Sequence, residues 1–202
     1  MMILRSGGAS PFGRKVRIAA SLLGLSDRID VVAADAANPD DPLRHDNPLG
    51  KIPVLVPEDG APLYDSRVIL EYLDHLAGGG RILPSGARRF EALTLQALAD
   101  GILDASILRV YEVRHRPEDK RVPSWVAYQE GKVVRGLSKL ESDPPRPPGP
   151  LPDVGQIAVA CALGYQDLRF DGKWRAGHPK LVAWLDSFAD YVPAFEETRF
   201  KG

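Results

Sequence analysis

The amino-acid sequence predicts an α/β unit of about 78 residues followed by an all-helical part. Two observations carry this. Over the first third of the 202 residues, short apolar runs of strand character alternate with segments of helical period; beyond "GGGRILPSG" (78–86), the clearly periodic segments repeat apolar residues every three or four positions. The glycine- and proline-bearing stretch between them breaks both periods and reads as a linker, which places the two domains at 1–78 and 86–202.

In order, "MMILRS" (1–6) is a short apolar strand, and the segment from Pro11 to Gly24 places Val16, Ala19, Ala20 and Leu23 on one helical face, with Gly24 as its stop. "RIDVVAAD" (28–35) is a second strand, and "NPDDPLRHDNPLGK" (38–51) is loop or a short helix. "IPVLVPEDGAPLYDS" (52–66) has the form of a hairpin around Glu58-Asp59-Gly60. Ser66 is placed to cap the helix "RVILEYLDHLAG" (67–78), whose apolar face is Val68, Ile69, Tyr72, Leu73 and Leu76.

The second part begins with a long helix over 87–116 that ends before Pro117. Residues 117–142 form a second helix in outline, interrupted in propensity by Pro123 and Gly131. "DPPRPPGPLP" (143–152) is a stiff connection. Asp153 then caps the helix 153–170, and Gln156 three residues on closes a capping box. "HPKLVAWLDSFADYV" (178–192) is the last clear helix.

Composition narrows the function. Twenty-six basic and 27 acidic residues leave a formal charge of −1, so no global field favours nucleic acid or an anionic membrane surface. No apolar run approaches the roughly 20 residues of a membrane span, and "MMILRSGGAS" lacks a signal-peptide core, so a cytoplasmic location is expected. The single cysteine, Cys161, excludes an internal disulfide and a CxxC redox pair, and the four histidines show no ligand spacing, so no metal is expected. Any thiol chemistry must use a thiol that a ligand brings.

Three stretches carry candidate chemistry. In "SPFGRK", Pro11 suits a first helical turn, and Ser10 before it either caps the helix or presents its hydroxyl to a substrate. In "NPLGKIPVLV", Pro53 opens an apolar run; either the strand begins at Val54, or a cis Ile52-Pro53 bond turns the Ile52 backbone outward to pair with a peptide ligand. In "LYDSRVILEYLD", Asp65 and Ser66 either form a simple cap or together grip an α-amino acid, Ser66 and the helix start taking its carboxylate and Asp65 its ammonium.

These three stretches, in this order and spacing, resemble the N-terminal domain of cytosolic glutathione transferases, and "LADGILDA", "ACALGYQDLRF" and "HPKLVAWLDSF" resemble the helical domain of bacterial members, here with a serine in the SPF motif. The resemblance covers almost the whole chain. It implies a thioredoxin-like glutathione-binding domain followed by an all-α domain over the second substrate, with glutathione as co-substrate, a homodimeric assembly and a role in detoxification. By the same resemblance Ser10 faces the glutathione sulfur, Ile52 and Pro53 meet the cysteinyl backbone, Asp65 and Ser66 hold the γ-glutamyl end, and Lys51 reaches the glycyl carboxylate. The mixed-charge run "RVYEVRHRPEDKR" (109–121) reads as a solvated helix end, while the resemblance brings its Tyr111 and Arg114, with Phe12, to the border of the pocket of a small, largely apolar electrophile. Asp100 and Asp104 share a face of the long helix, where solvation is the ordinary role; the resemblance brings Asp104 toward a partner's glutathione site and gives Arg67 a dimer contact. An isomerase, lyase or dehalogenase using the same thiolate, or a binding module without turnover, are the alternatives.

Overall fold

The computed structural model describes residues 1–201. Strand β1 (Met2–Ser6) is the middle of a three-stranded sheet of order β2-β1-β3, which is why its Met2, Leu4 and Ser6 side chains are all buried. Helix α1 (Pro11–Leu22) links β1 to β2 (Ile29–Ala33), which runs parallel to it in the register Leu4↔Val31. A parallel neighbour requires such a crossover. Strand β3 (Val54–Val56) lies antiparallel on the other side, with Leu4 opposite Leu55. The expected hairpin is present in reduced form: Leu55 and Leu63 exchange two backbone hydrogen bonds of 3.0 and 2.8 Å. One turn of helix, α2 (Leu43–Asp46), interrupts the polar loop before β3.

Helix α3 (Ser66–Leu76) covers the sheet with Ile69, Leu70 and Leu73. The apolar face is rotated from the expected one, since Leu70 is buried while Val68 is 46% exposed. Asp65 is the N-cap, accepting from the Arg67 N–H at 2.9 Å, and Ser66 is the first helical residue. This corrects the expectation that Ser66 caps; both residue types can, and the chain enters the helix one position earlier.

All regular elements from Ala87 onward are helical: α4 (Ala87–His115), α5 (Pro123–Ser142), α6 (Val154–Phe170), α7 (Pro179–Tyr191) and α8 (Ala194–Glu197). Pro123 does not interrupt α5 but starts it, because a first-turn proline forfeits no helical hydrogen bond; residues 117–122 are outside that helix. Helix α6 is the axis of this part, buried along most of its length and opened by the expected capping box of Asp153 and Gln156. Gly155 lets it approach α4 closely, since a β-carbon there would lie 2.6 Å from the Ala92 carbonyl oxygen. Both α1 and α4 pack on α6, so one apolar core runs from the sheet into the helices.

The connection between the two parts is held by Asp74, 4% exposed, whose carboxylate accepts from the N–H groups of Gly80, Arg81 and Ile82 at 2.7–2.8 Å. Ile82 in turn accepts from the Val154 N–H at 2.9 Å, which ties the start of α6 to the connection. Among the described residues no helix is long and apolar enough to cross a membrane.

Candidate functional site

Ser10 sits where β1 has ended and α1 begins. Its Oγ accepts a hydrogen bond from the Gly13 N–H at 3.1 Å, so the capping role is real. That bond uses only a lone pair. A serine hydroxyl also carries a proton and a second lone pair, so Ser10 can cap α1 and still donate to an atom outside it. Gly13 is required by space: a β-carbon there would fall 1.9 Å from the Ser6 hydroxyl.

Beside Ser10 opens a cavity of about 160 Å³ between the β1–α1 loop, α6 and the C-terminal segment, with Arg14, Tyr165, Leu168, Phe195, Arg199 and Phe200 among its walls. The room at Gly8 is taken by Phe200, whose ring would lie 3.1 Å from an added β-carbon, so the tail closes what the glycine opens. Cys161 also meets this cavity, but it is fully buried and burial pushes its thiol up to about 11, which makes it an inert structural thiol.

Tyr111 and Arg114 do not line the cavity. Both are exposed on α4, with Arg114 over the Tyr111 ring at 5.7 Å, and they lie within electrostatic reach of Tyr165, which does line it. Phe12 is half-buried, with the Lys15 ammonium 5.1 Å from its ring centroid.

The residues expected to hold a peptide are not among the cavity walls, although Ile52 reaches the same β1–α1 loop at Gly7, where an added β-carbon would lie 3.1 Å from its Cδ1. The Ile52-Pro53 bond is cis, and among the described residues neither the N–H nor the C=O of Ile52 bonds to another backbone group. Lys51 is exposed, with its carbonyl held by the Asn47 side chain at 2.9 Å. Ser66 is 2% exposed and its hydroxyl makes no hydrogen bond among the described residues. Asp65 is engaged by Arg67, whose Nη2 lies 3.0 Å from Oδ2; burial works to raise the Asp65 carboxyl, but the Arg67 hydrogen bonds and charge outweigh it and leave it below its ordinary value. Asp104 is exposed, within electrostatic reach of Lys51, Arg67 and Lys15 of its own chain.

Asp100 departs from the expected solvated role. It is buried and accepts from the Lys15 ammonium at 2.5 Å, Lys15 being wholly enclosed. Burial raises the Asp100 carboxyl and Lys15 only partly offsets it. Sequence reasoning missed this pair, and it missed Arg14 and the C-terminal Phe195 and Phe200; for Arg14 the available signal was its position one turn after Ser10. Among the described residues no cluster of three His, Cys, Asp or Glu side chains is placed to hold a metal ion.

A mixed three-stranded sheet with a βαβ start, a helical part packed on its first helix, and a capping serine on a cavity wall define a glutathione-transferase type of architecture. The profiles "Glutathione S-transferase, N-terminal domain" and "Glutathione S-transferase, C-terminal domain" match residues 9–76 and 97–187, and the chain belongs to the glutathione S-transferase family. It is similar to the uncharacterized GST-like protein YibF of Escherichia coli (strain K12), 32% identical over 189 residues that cover 88% of this chain and 89% of that protein. It is also similar to a glutathione transferase family member from Pseudomonas fluorescens Pf-5 solved with bound glutathione, 40% identical over 98% of each chain with a TM-score of 0.89. The same Pseudomonas fluorescens Pf-5 family member solved with bound S-(propanoic acid)-glutathione matches at 39% identity over 98% of this chain and 99% of that one, with a TM-score of 0.85.

Proposed function

We propose that this protein is a glutathione transferase in which Ser10 stabilises the glutathione thiolate for attack on a small electrophile held in the adjacent cavity. The observation that carries this is Ser10 itself, a helix-capping hydroxyl with its proton still free, on the wall of that cavity and in the loop that Ile52 meets at Gly7. Glutathione and an S-substituted glutathione, each bound to the Pseudomonas relative, support the reading.

In this reading the Ile52 N–H and C=O pair with the cysteinyl residue as an added strand. Ser66 and the α3 N-terminus take the γ-glutamyl carboxylate, Asp65 takes its ammonium, Lys51 takes the glycyl carboxylate, and Asp104 reaches toward the glutathione site of a second copy in the dimer. The two domains divide at 78–86, the second covering the electrophile, and the protein works as a cytoplasmic homodimer in detoxification.

Energetics set the demand on Ser10. A thiol of pKa near 8.5 is only a few per cent ionised at neutral pH, and lowering it by about two units takes roughly 2.7 kcal/mol of preference for the anion. A helix N-terminus supplies about 0.3–1 kcal/mol, up to ~2 when partly buried, and a hydrogen bond to a charged group about 1.5–3. Helix and hydroxyl together meet the demand, and the helix alone falls short. The test is a pH titration of the ultraviolet thiolate absorbance of bound glutathione. A pKa well below that of free glutathione, returning toward it in Ser10→Ala, is the expected result; tight binding with an unshifted pKa would make the protein a glutathione-binding module instead.

A further inference from the structure

The cavity beside Ser10 has one wall with an unusual charge. Arg14 lies one turn along α1 from Ser10 and is only 8% exposed. Its Nη2 donates to the Phe195 carbonyl, its Nε donates to the Thr198 hydroxyl at 3.3 Å, and its guanidinium stacks on the Phe195 ring at 4.0 Å. None of these is an anion, and among the described residues Arg14 makes no ion pair. Its third nitrogen, Nη1, lies over Gly164 on the cavity wall, where an added β-carbon would come within 2.5 Å of it.

The surroundings do not neutralise it. Arg199 lines the same cavity, and Arg17, within electrostatic reach of Arg14, has a buried Nε without a partner. The carboxylates nearby are already committed, Glu196 to Arg199 at 2.6 Å and Asp167 to Arg175 at 2.7 and 2.9 Å and to the Trp174 indole at 2.8 Å. Burial lowers the Arg14 pKa, yet a guanidinium remains charged. A buried charge without a counter-ion is costly, and carbonyl contacts offset only part of that cost. A cavity walled by such a charge favours an anion.

Given Ser10 at the glutathione sulfur, we propose that the electrophile of this cavity is a small carboxylate, held by the free nitrogen of Arg14 with Arg199 at the rim. The volume agrees with a small molecule: about 160 Å³ is close to the ~150 Å³ of a cavity known to admit benzene. The surrounding Tyr165, Leu168, Phe195 and Phe200 accept its short carbon chain. With an α,β-unsaturated acid, the thiolate sulfur bonds to the β-carbon, the C=C π pair moves toward the α-carbon and carboxylate, and a proton from water completes the α-carbon. The proton lost when the thiol ionised balances it, so the product is the sum of glutathione and acid. An ionised carboxylate is a poor acceptor because charge accumulates on it, and a guanidinium with no competing carboxylate is suited to stabilise that charge.

The experiment uses acrylate and acrylamide, which share a skeleton and differ in charge, together with their products S-(2-carboxyethyl)glutathione and S-(2-carbamoylethyl)glutathione. For each electrophile kcat/KM is divided by its uncatalysed rate constant, and each product's Kd is measured by calorimetry on the full chain. The acid is expected to exceed the amide by roughly tenfold or more in both readouts, the scale of a hydrogen bond to a charged group. Arg199→Gln and Gly164→Ala should each shrink that ratio several-fold. Equal ratios for acid and amide in wild type would overturn the carboxylate proposal while leaving Ser10 in place, whereas failure of glutathione and both products to bind would remove the reading beneath it. A ratio that survives both substitutions would reduce Arg14 to a tie for the C-terminal segment and overturn the proposal as well.

Discussion

Arg14 and Lys15 are neighbours on α1, both buried cations, and the helix turns them toward different partners. Lys15 points at α4 and meets Asp100 at 2.5 Å; Arg14 points at α6 and the C-terminal segment and meets only carbonyl, hydroxyl and ring. The first is a closed pair that joins the α/β part to the helical part. The second is an open charge on the wall of a cavity. Burial of a charge therefore has two meanings in one helix, and the presence of a counter-ion separates them.

The largest effect should come from breaking the closed pair. Lys15→Met leaves Asp100 buried without its cation, a change that costs about 3–5 kcal/mol in urea unfolding at pH 8. The cost should shrink in acid. Burial already raises the Asp100 carboxyl in the intact protein, and removing Lys15 raises it further above its unfolded value. Between the unfolded and folded pKa the native state then holds the extra proton, so stability falls as pH rises through that window and recovers toward pH 4. Lys15→Met combined with Asp100→Leu should regain most of the loss, because an apolar pair of similar volume can replace a buried ion pair. A single variant equally stable at pH 5 and pH 8 would show that Asp100 is not the stranded group.

Arg14→Met sharpens the contrast from the other side. It removes a charge that has no carboxylate to strand, and what it leaves short of a donor is the Phe195 carbonyl and the Thr198 hydroxyl. The expected cost is about 1–3 kcal/mol, smaller than for Lys15→Met, and flat between pH 5 and pH 8. A loss that follows pH as steeply as that of Lys15→Met would mean Arg14 has an ionic partner after all.

The same pair shows what the sequence could convey. Helix starts were legible where a local rule decides them, as with Ser10-Pro11 before α1 and the Asp153 to Gln156 box before α6. The cap at Asp65 was misplaced by one residue, because two adjacent residues could each serve. Lys15 and Arg14 were illegible because a charged residue defaults to the surface, and their partners lie 85 and 181 residues away. The Phe195 and Phe200 walls of the cavity follow the last strongly periodic segment, where no pattern announces a fixed position. The residues proposed to face glutathione were read from short motifs and a resemblance, whereas the cavity beside Ser10 is assembled from distant parts of the chain.

The smallest stability effect belongs to Ser10, and it separates the two uses of its hydroxyl. Ser10→Ala deprives the Gly13 N–H of its acceptor and should cost about 1 kcal/mol. Ser10→Asp keeps an acceptor at the cap and adds a charge that favours a helix N-terminus, so its stability should stay within a few tenths of a kcal/mol of wild type. For a bound thiolate the order differs. An aspartate there offers no proton and opposes a second negative charge, so the thiol pKa of bound glutathione should rise above that in Ser10→Ala even though the fold is better capped. If Ser10→Asp instead matched wild type in both stability and thiol pKa, the hydroxyl would be a cap and nothing more, and the thiolate would owe its stabilisation to the helix and to the cations on the far side of the cavity.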